Sequence, residues 1–378
     1  MKIAIIRKRY VAHGGAERFT RDFIHRLVGR GHQVHLIAAD WIGERDPKVT
    51  FHPVPTVRLG AFFAALTFAV GAYRVCRRNR FDLVQSHERT LYQDLYRAGD
   101  GCHREWLLRR RAGASLLKRF SIAINPFHRL MLWIEKRLMQ RSAKIVAISN
   151  AVRSEIIRHY QVSPEKIAVI YNPVDLVRFH PDHRTGIGEA LRAEEEIKDQ
   201  EKVILFVGSG FERKGLGPLI EAIARLGSLP VKLWVVGKGS ITRYQRQARD
   251  LGLEGRVRFF GPVPDAACYY AAADLFVFPT LYEPFGQVHL EALASALPVI
   301  THRHCGGAEL IRCGVNGDLL DSPTDSKEIA ERIQKLIMHP HPELLREAAR
   351  KTAEEYPPGR ILDRWEALYE EMISAEGR

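Results

Sequence analysis

Cysteine is scarce in this sequence, long apolar runs are missing and acid is in deficit. The five cysteines, Cys76, Cys102, Cys268, Cys305 and Cys313, are odd in number, far apart and nowhere spaced as Cys-x-x-Cys. That pattern argues against a disulfide framework or a zinc ribbon and predicts a reducing compartment. Near the N-terminus only Ile3-Ala4-Ile5-Ile6 follow Lys2 before Arg7-Lys8-Arg9 closes the run, whereas a signal peptide needs an apolar stretch of about 7 to 15 residues. No export signal is expected. The longest uncharged stretch, Leu59 to Tyr73, has 15 residues against the ~20 needed to cross a bilayer, so it reads as a buried or membrane-facing helix. Fifty-seven Lys plus Arg against 44 Asp plus Glu leave a net charge of +13, which calls for an anionic partner: nucleic acid, anionic lipid or a phosphorylated substrate. There is no tandem repeat, no low-complexity tract and no Asp-x-Asp. His302-x-His304 beside Cys305 lacks a fourth ligand at a usual spacing, so no metal site is expected.

What is present is the grammar of an α/β protein, written twice. A chain of 378 residues has material for two domains. Residues 2 to 38 read as one βαβ unit: strand Ile3 to Ile6, a turn with Gly14-Gly15, a helix with Phe19, Phe23 and Leu27 on one face, then strand Val34 to Ala39. The same order restarts at Val203 to Val207, followed by Gly208-Ser209-Gly210, a helix near Pro218 and strand Val231 to Val236. Two doubly wound halves follow. The boundary is placed near Asn172-Pro173, where strand Ile167 to Tyr171 ends, and the polar stretch Glu189 to Lys202 reads as a linker. The last helix, from about Gly359 to Ile373, carries Ile361, Leu362, Trp365, Leu368, Tyr369 and Met372 on one side and must pack on something.

Three constellations carry chemistry. Gly14-Gly15, between a strand and a helix start, suits either a plain tight turn or the approach of a phosphate or sugar oxygen to unpaired N–H groups. Gly208-Ser209-Gly210-Phe211-Glu212-Arg213-Lys214-Gly215 stands at the same kind of edge. It is not a Walker A loop, since Leu216 follows Gly215, and Arg213 stands where the dinucleotide fingerprint needs its last glycine. Adjacent cations remain, suited to a diphosphate leaving group or else merely solvated. Third, Glu283-Pro284-Phe285-Gly286-Gln287-Val288-His289-Leu290-Glu291 follows the buried strand Leu275 to Phe278. It sets two carboxylates eight apart, the second in the otherwise apolar helix Gln287 to Ala296, where an ionised group needs a partner or a ligand.

The run from Ala273-Asp274 through Pro279, Glu283-Pro284-Phe285-Gly286, Glu291-Ala292, Leu297-Pro298-Val299-Ile300 and Gly306-Gly307-x-Glu309 resembles the nucleotide-sugar domain of retaining glycosyltransferases of family 4, which have the GT-B fold. Gly14-Gly15-Ala16-Glu17, Asn172-Pro173-Val174-Asp175 and Arg213-Lys214 resemble further elements of that family in their usual order. The resemblance implies two Rossmann-like domains facing across a cleft: residues 1–172 binding the acceptor, 173–356 binding the nucleotide-sugar, and a helix over 357–378 crossing back. It implies Arg213 and Lys214 on the donor diphosphate, Glu291 on the ribose, and Glu283 with the backbone at Phe285, Gly286, Gln287 and Val288 on the transferred sugar. Gly14 and Gly15 would lie near the phosphate. The family retains anomeric configuration and usually needs no metal.

Leu91-Tyr92-Gln93-Asp94-Leu95-Tyr96-Arg97-Ala98-Gly99-Asp100-Gly101-Cys102 is most similar to the lipopolysaccharide inner-core glucosyltransferases, which place an aspartate before a cysteine here. This implies UDP-glucose as donor and makes Asp100 a candidate at the reacting face. His87, in Ser86-His87-Glu88, resembles the wider family's histidine and competes with it; a core histidine and a helix-capping aspartate are the alternatives. Between His103 and Arg141 ten basic residues face two acidic ones, so most of the positive excess is local. Trp106, Arg109, Arg110, Arg111, Lys118 and Arg119, interleaved with Leu116, Leu117, Phe120 and Trp133, are the mix expected at an anionic membrane surface. A basic nucleic-acid-binding module is the rival reading, but no recognised module accompanies the charge, so no nucleic acid is expected. The sequence thus points to a transferase with no cofactor, a nucleotide-sugar donor and a lipid-anchored glycan acceptor. Another donor and another lipid-linked or polysaccharide acceptor remain open.

Overall fold

The computed structural model describes residues 1–10, 15–112 and 115–376. The chain divides into two compact units, Met1–Asn172 with Gly359–Arg378, and Pro173–Pro358.

Unit 1 runs β1 (Lys2–Ile6), β2 (Arg9–Tyr10), α1 (Gly15–Gly29), β3 (Gln33–Ala38), β4 (Asp40–Trp41), β5 (Val49–Pro53), α2 (Gly60–Arg78), β6 (Leu83–Ser86), β7 (Leu95–Ala98), α3 (His103–Ala112), α4 (Leu116–Ile124), α5 (Pro126–Arg141), β8 (Lys144–Ala147), α6 (Asn150–Tyr160) and β9 (Ile167–Val169). Seven of these strands form a sheet in the order β5-β3-β1-β6-β7-β8-β9, every pair parallel. A parallel sheet is covered on both faces, which is why β1 is an unbroken apolar run rather than an alternating one: Ile3 to Ile6 are all fully buried. The uncharged stretch of residues 59–73 lies mostly in α2. Its Phe68 and Ala72 pack into the core with Ile6, Ile37 and Val84, and among the described residues no helix is long and apolar enough to cross a membrane.

Unit 2 runs α7 (Ile187–Glu194), β10 (Lys202–Val207), α8 (Leu216–Arg225), β11 (Val231–Val236), α9 (Ile241–Asp250), β12 (Val257–Gly261), α10 (Ala267–Ala272), β13 (Leu275–Phe278), α11 (Gln287–Ala294), β14 (Val299–His302), β15 (Gly317–Leu320), α12 (Ser326–Ile337) and α13 (Pro342–Ala353). Its sheet is also parallel, in the order β12-β11-β10-β13-β14-β15. The expected linker at residues 189–202 is instead packed structure. Arg192 donates to the Ala272 carbonyl at 3.0 Å and to Asp274 at 3.1 Å, and Glu195 accepts from Arg258 at 2.9 Å. Charges that look solvated in sequence are consumed in pairs with the unit's own strands. The helix expected to reach Ala296 ends at Ala294, and Ala296 has a positive φ of 58°, which is incompatible with helix continuation.

The final helix, α14 (Pro358–Glu376), belongs to unit 1 from Gly359 onward. Trp365 and Tyr369 are fully buried. The Trp365 ring lies 5.2 Å from that of Phe23, the Tyr369 hydroxyl donates to Gln85, and Arg30 binds Asp363 and Glu366 at 2.6 and 3.0 Å.

Candidate active site

In open parallel sheets ligands bind beyond the C-terminal strand ends, where the strand order reverses. In unit 2 that point lies between β10 and β13, and the loops leaving those two strands carry the predicted cations and the first predicted carboxylate. Gly215 begins α8 with φ +79°, and a Cβ there would stand 2.0 Å from the Pro279 carbonyl oxygen. Glycine lets the two loops close on each other, bringing Lys214 and Arg213 to Glu283. The Lys214 ammonium is in contact with the Glu283 carboxylate. It also lies 4.7 Å above the Phe278 ring. Arg213 donates to the Tyr282 carbonyl at 2.6 Å and to Glu283 at 3.3 Å. Burial, with the Arg213 charge adding, pushes Lys214 well below the usual lysine range; burial also lowers Arg213. The fold thus gathers a buried lysine and a half-buried arginine around one carboxylate.

The second carboxylate stands apart. Glu291, on α11, accepts from the buried Tyr270 hydroxyl at 3.0 Å, and burial followed by that carboxylate drives the Tyr270 phenol well up. Between the two acids, Phe285 is buried and Val288 half-buried. The Gln287 side chain donates to the Pro173 carbonyl at 2.7 Å, so it fastens the start of unit 2. Gly286 sits at the N-cap of α11 with φ +79°. His289, absent from the expected site, braces this turn. Its Nδ1 donates to the Gly286 carbonyl at 2.8 Å, and its Nε2 lies 2.9 Å from the hydroxyl of Thr301, which donates to the Phe278 carbonyl. Burial lowers its pKa to about 4.

In unit 1 the order reverses between β1 and β6. Gly14 lies outside the described residues; Gly15 opens α1. His87, just beyond β6, is only 2% exposed, with Nδ1 3.1 Å from the Thr20 hydroxyl and Nε2 2.6 Å from the Gln85 amide nitrogen. Because the Gln85 oxygen accepts from Tyr369, the amide nitrogen donates to His87 Nε2, and Nδ1–H donates to Thr20. Burial, then Arg97 and Arg7, hold the ring well below its usual pKa. His87 is therefore a neutral core histidine with both nitrogens engaged. Asp100 is exposed in the turn after β7.

Sequence reasoning missed the arginines beside these groups. Arg97, 3% exposed, donates to Asn172 at 2.7 Å and stacks 3.7 Å over the Phe19 ring. Its Nε has no hydrogen-bond partner among the described residues. Burial, with Arg7 adding, brings it down to about 9. Arg7 faces Glu88 at 3.5 Å. The only hint was a lone Arg inside the otherwise apolar strand Leu95–Ala98.

The basic stretch folds as α3, α4 and α5. Its two acids are both buried hubs: Glu105 takes Arg109 at 2.8 Å, Arg158 at 3.1 Å and His159 at 2.7 Å. Glu135 accepts from Arg89 at 2.8 Å, from the Tyr160 hydroxyl and from the backbone N–H groups of His103 and Arg104 that open α3. Of the expected membrane-contact residues, Arg109 is engaged by Glu105, and the exposed Arg119 donates to the carbonyls of Arg111 and Ala112 at 3.0 and 3.1 Å, closing α3. Trp106 is half-buried. Arg110, Arg111 and Lys118 are exposed, beside Leu116 and Leu117, which are 81% and 85% exposed, and the exposed Phe120.

Comparison with known proteins decides the family. Residues 13–178 match the model of Glycosyltransferase Family 4, and residues 188–355 that of the Glycosyl transferases group 1. The chain belongs to the family 4 glycosyltransferases. It is similar to the lipopolysaccharide glucosyltransferase WaaG of Escherichia coli, 26% identical over 345 residues covering 89% of this chain and 90% of that protein. The crystal structure of WaaG superposes with a TM-score of 0.82 over 96% of this chain and 98% of that chain, so the architecture is the two-domain α/β GT-B fold. The lipopolysaccharide core biosynthesis glycosyltransferase LpsE of Rhizobium meliloti is 37% identical over 157 residues, 40% of this chain and 45% of that protein.

Proposed function

We propose that this glycosyltransferase moves a hexose, glucose from UDP-glucose, onto a lipopolysaccharide core acceptor at the inner face of the cytoplasmic membrane, with retention of configuration and without a metal. The observation that carries the reading is the Arg213–Lys214–Glu283 cluster at the switch point of unit 2. A departing UDP needs positive charge where the bond between the anomeric carbon and the diphosphate breaks, and these two cations supply it in place of a divalent ion. The diphosphate takes over Lys214 and Arg213 from Glu283, which is then released to bind the transferred sugar with the backbone of Phe285 to Val288. Glu291 binds the ribose. In unit 1, Asp100 is the polar group offered to the acceptor, and His87 holds its surroundings from inside. The names of WaaG and LpsE support a core-saccharide acceptor, and the exposed Arg110, Arg111, Lys118 and apolar α4 side chains support a membrane-borne one.

The test is a screen of nucleotide-sugars by thermal shift followed by a transfer assay in EDTA with the anomer assigned by NMR. UDP-glucose raises the melting temperature, as any ligand of the native state does, and transfer survives EDTA. Absence of a shift with every UDP-sugar, together with salt-sensitive DNA binding, overturns the proposal in favour of a nucleic-acid-binding protein.

A further inference from the structure

Unit 1 carries a cavity of about 740 Å³ whose walls include Tyr73, Tyr92, Asp94, Trp133, Arg137 and Arg141. It lies at the opposite edge of the sheet from Asp100 and His87. Asp94 immediately precedes β7, and Ala143, also in the wall, immediately precedes β8. Asp100 follows the C-terminal end of β7, so the four-residue strand separates the two by roughly 13 Å at ~3.3 Å per residue.

The lining is unusual for a surface hollow. Trp133 is 53% exposed, and Tyr73 and Tyr92 are each more than a third exposed, with the two tyrosine rings edge to face at 6.5 Å. Single exposed aromatics need no explanation, but three around one concavity leave a contiguous apolar surface in water. Charge sits beside it. The Arg137 guanidinium lies 5.8 Å from the Trp133 ring, and neither it nor Arg141 has a carboxylate within ion-pair distance among the described residues. Arg141, in the last turn of α5, suits the helix dipole there; Arg137, a turn earlier, has no such reason. Asp94 is fixed, one oxygen accepting from the Val84 N–H at 2.8 Å and the other from the Tyr92 hydroxyl at 3.2 Å, and so presents an oriented acceptor.

Aromatic faces take up the C–H face of a pyranose, an oriented carboxylate accepts its hydroxyls, and two unpaired guanidiniums, planar donor forks matched to oxyanions, take a phosphate or carboxylate. The volume lies within the usual range for small-molecule sites, ~300–1,000 Å³. We infer that this hollow of unit 1 is a second carbohydrate site, binding a pyranose that carries a phosphate or carboxylate group, separate from the transfer site. It does not depend on which sugar the enzyme transfers.

The experiment is calorimetric titration of the full chain, saturated with UDP to occupy the donor cations, with glucose 6-phosphate, glucuronate, glucose and inorganic phosphate. At least one anionic sugar binds tenfold or more tightly than both glucose and inorganic phosphate, and the stronger of the two names the anion. Trp133→Ala and the pair Arg137→Gln, Arg141→Gln each weaken that binding at least tenfold, Trp133→Phe largely retains it, and UDP affinity is unchanged throughout. Equal binding of glucose or of inorganic phosphate overturns the saccharide assignment. Wild-type affinity in the Trp133 and Arg137/Arg141 variants, no binding of either anionic sugar, or Trp133-dependent binding to anionic phospholipid vesicles alone overturns the site.

Discussion

The switch-point cations of unit 2 touch a carboxylate, whereas the buried Arg97 of unit 1 rests on an amide oxygen and an aromatic ring. Lys214 and Arg213 share the Glu283 carboxylate, so part of their charge is met inside the protein, and an anion bound there would compete with an internal one. In unit 1 Arg97 is as deeply buried, yet it leans on an amide oxygen and an aromatic ring, and its Nε stays unsatisfied among the described residues. A buried cation without an anion is costly to keep. The contrast teaches that one unit carries a counter-ion in direct contact with its cations, and the other a buried cation whose direct contacts are uncharged.

The strongest way to break this comparison is to remove the exchanged cation. Lys214→Ala is expected to lower turnover by about 10²-fold or more, the scale for losing one charge-stabilising donor, with the fold kept because Arg213 still faces Glu283. Arg213→Ala behaves likewise. Glu291→Gln, which keeps the Tyr270 hydrogen bond, instead weakens UDP binding by about 1.5 to 3 kcal/mol with little added loss at saturation. Single-turnover kinetics and calorimetry check both; wild-type turnover in purified Lys214→Ala shows that the cation pair is only a packing feature.

Most of unit 2 was legible because its site is spelled by contiguous residues. The cations 213 and 214 lie in one loop and the carboxylate 283 in another, each at the end of a buried apolar strand, with Glu291 on the helix that follows, and parallel topology does the rest. What stayed hidden is what three dimensions assemble from single residues. Arg97 is one polar letter in Leu-Tyr-Arg-Ala, and its neighbours Arg7, Phe19 and Asn172 come from distant segments. Arg192 and Glu195 read as linker because charge alone does not say whether it meets water or Asp274 and Arg258. The same blindness affected the basic stretch, where counting charges missed that Arg109 and Arg119 are engaged within it.

Those contacts sharpen the second test. Arg110, Arg111 and Lys118 are exposed cations of the α3–α4 surface that make no ion pair among the described residues, each contributing about 1 kcal/mol near an anionic membrane. Replacing all three with Ser should remove about 3 kcal/mol, more than a hundredfold in partitioning, while thermal stability stays close to wild type. Arg109→Ser should do the reverse, lowering stability by loosening Glu105 and leaving vesicle binding less affected. Liposome co-sedimentation against anionic lipid content and salt decides it. Equal binding of the triple variant, or equal binding to neutral and anionic vesicles, removes electrostatics from the account.

The smallest expected effect is a fraction of a proton, and it reports most directly on the exchange at Glu283. In the free protein burial, then Arg213, depresses the Lys214 pKa. A group that is a cation when protonated and has a lowered folded pKa holds fewer protons in the fold than in the unfolded chain, so its contribution to stability grows as pH rises toward the ordinary lysine value. A bound diphosphate brings two or more negative charges against the same ammonium and raises its pKa again. Between the free and bound values the complex therefore holds more protons than the free protein. UDP binding takes protons up, and affinity falls as pH rises through that window. Titrations at one alkaline pH in buffers of differing ionisation enthalpy read the uptake as the slope of observed enthalpy, at most about one proton per UDP. Lys214→Met, which keeps the stem and removes the titrating nitrogen, should abolish it. A slope of zero in the wild type from neutral to alkaline pH, or an undiminished slope in Lys214→Met, means that the diphosphate does not take Lys214 from Glu283. The Lys214–Glu283 contact of unit 2 is then a structural ion pair and not an exchange site.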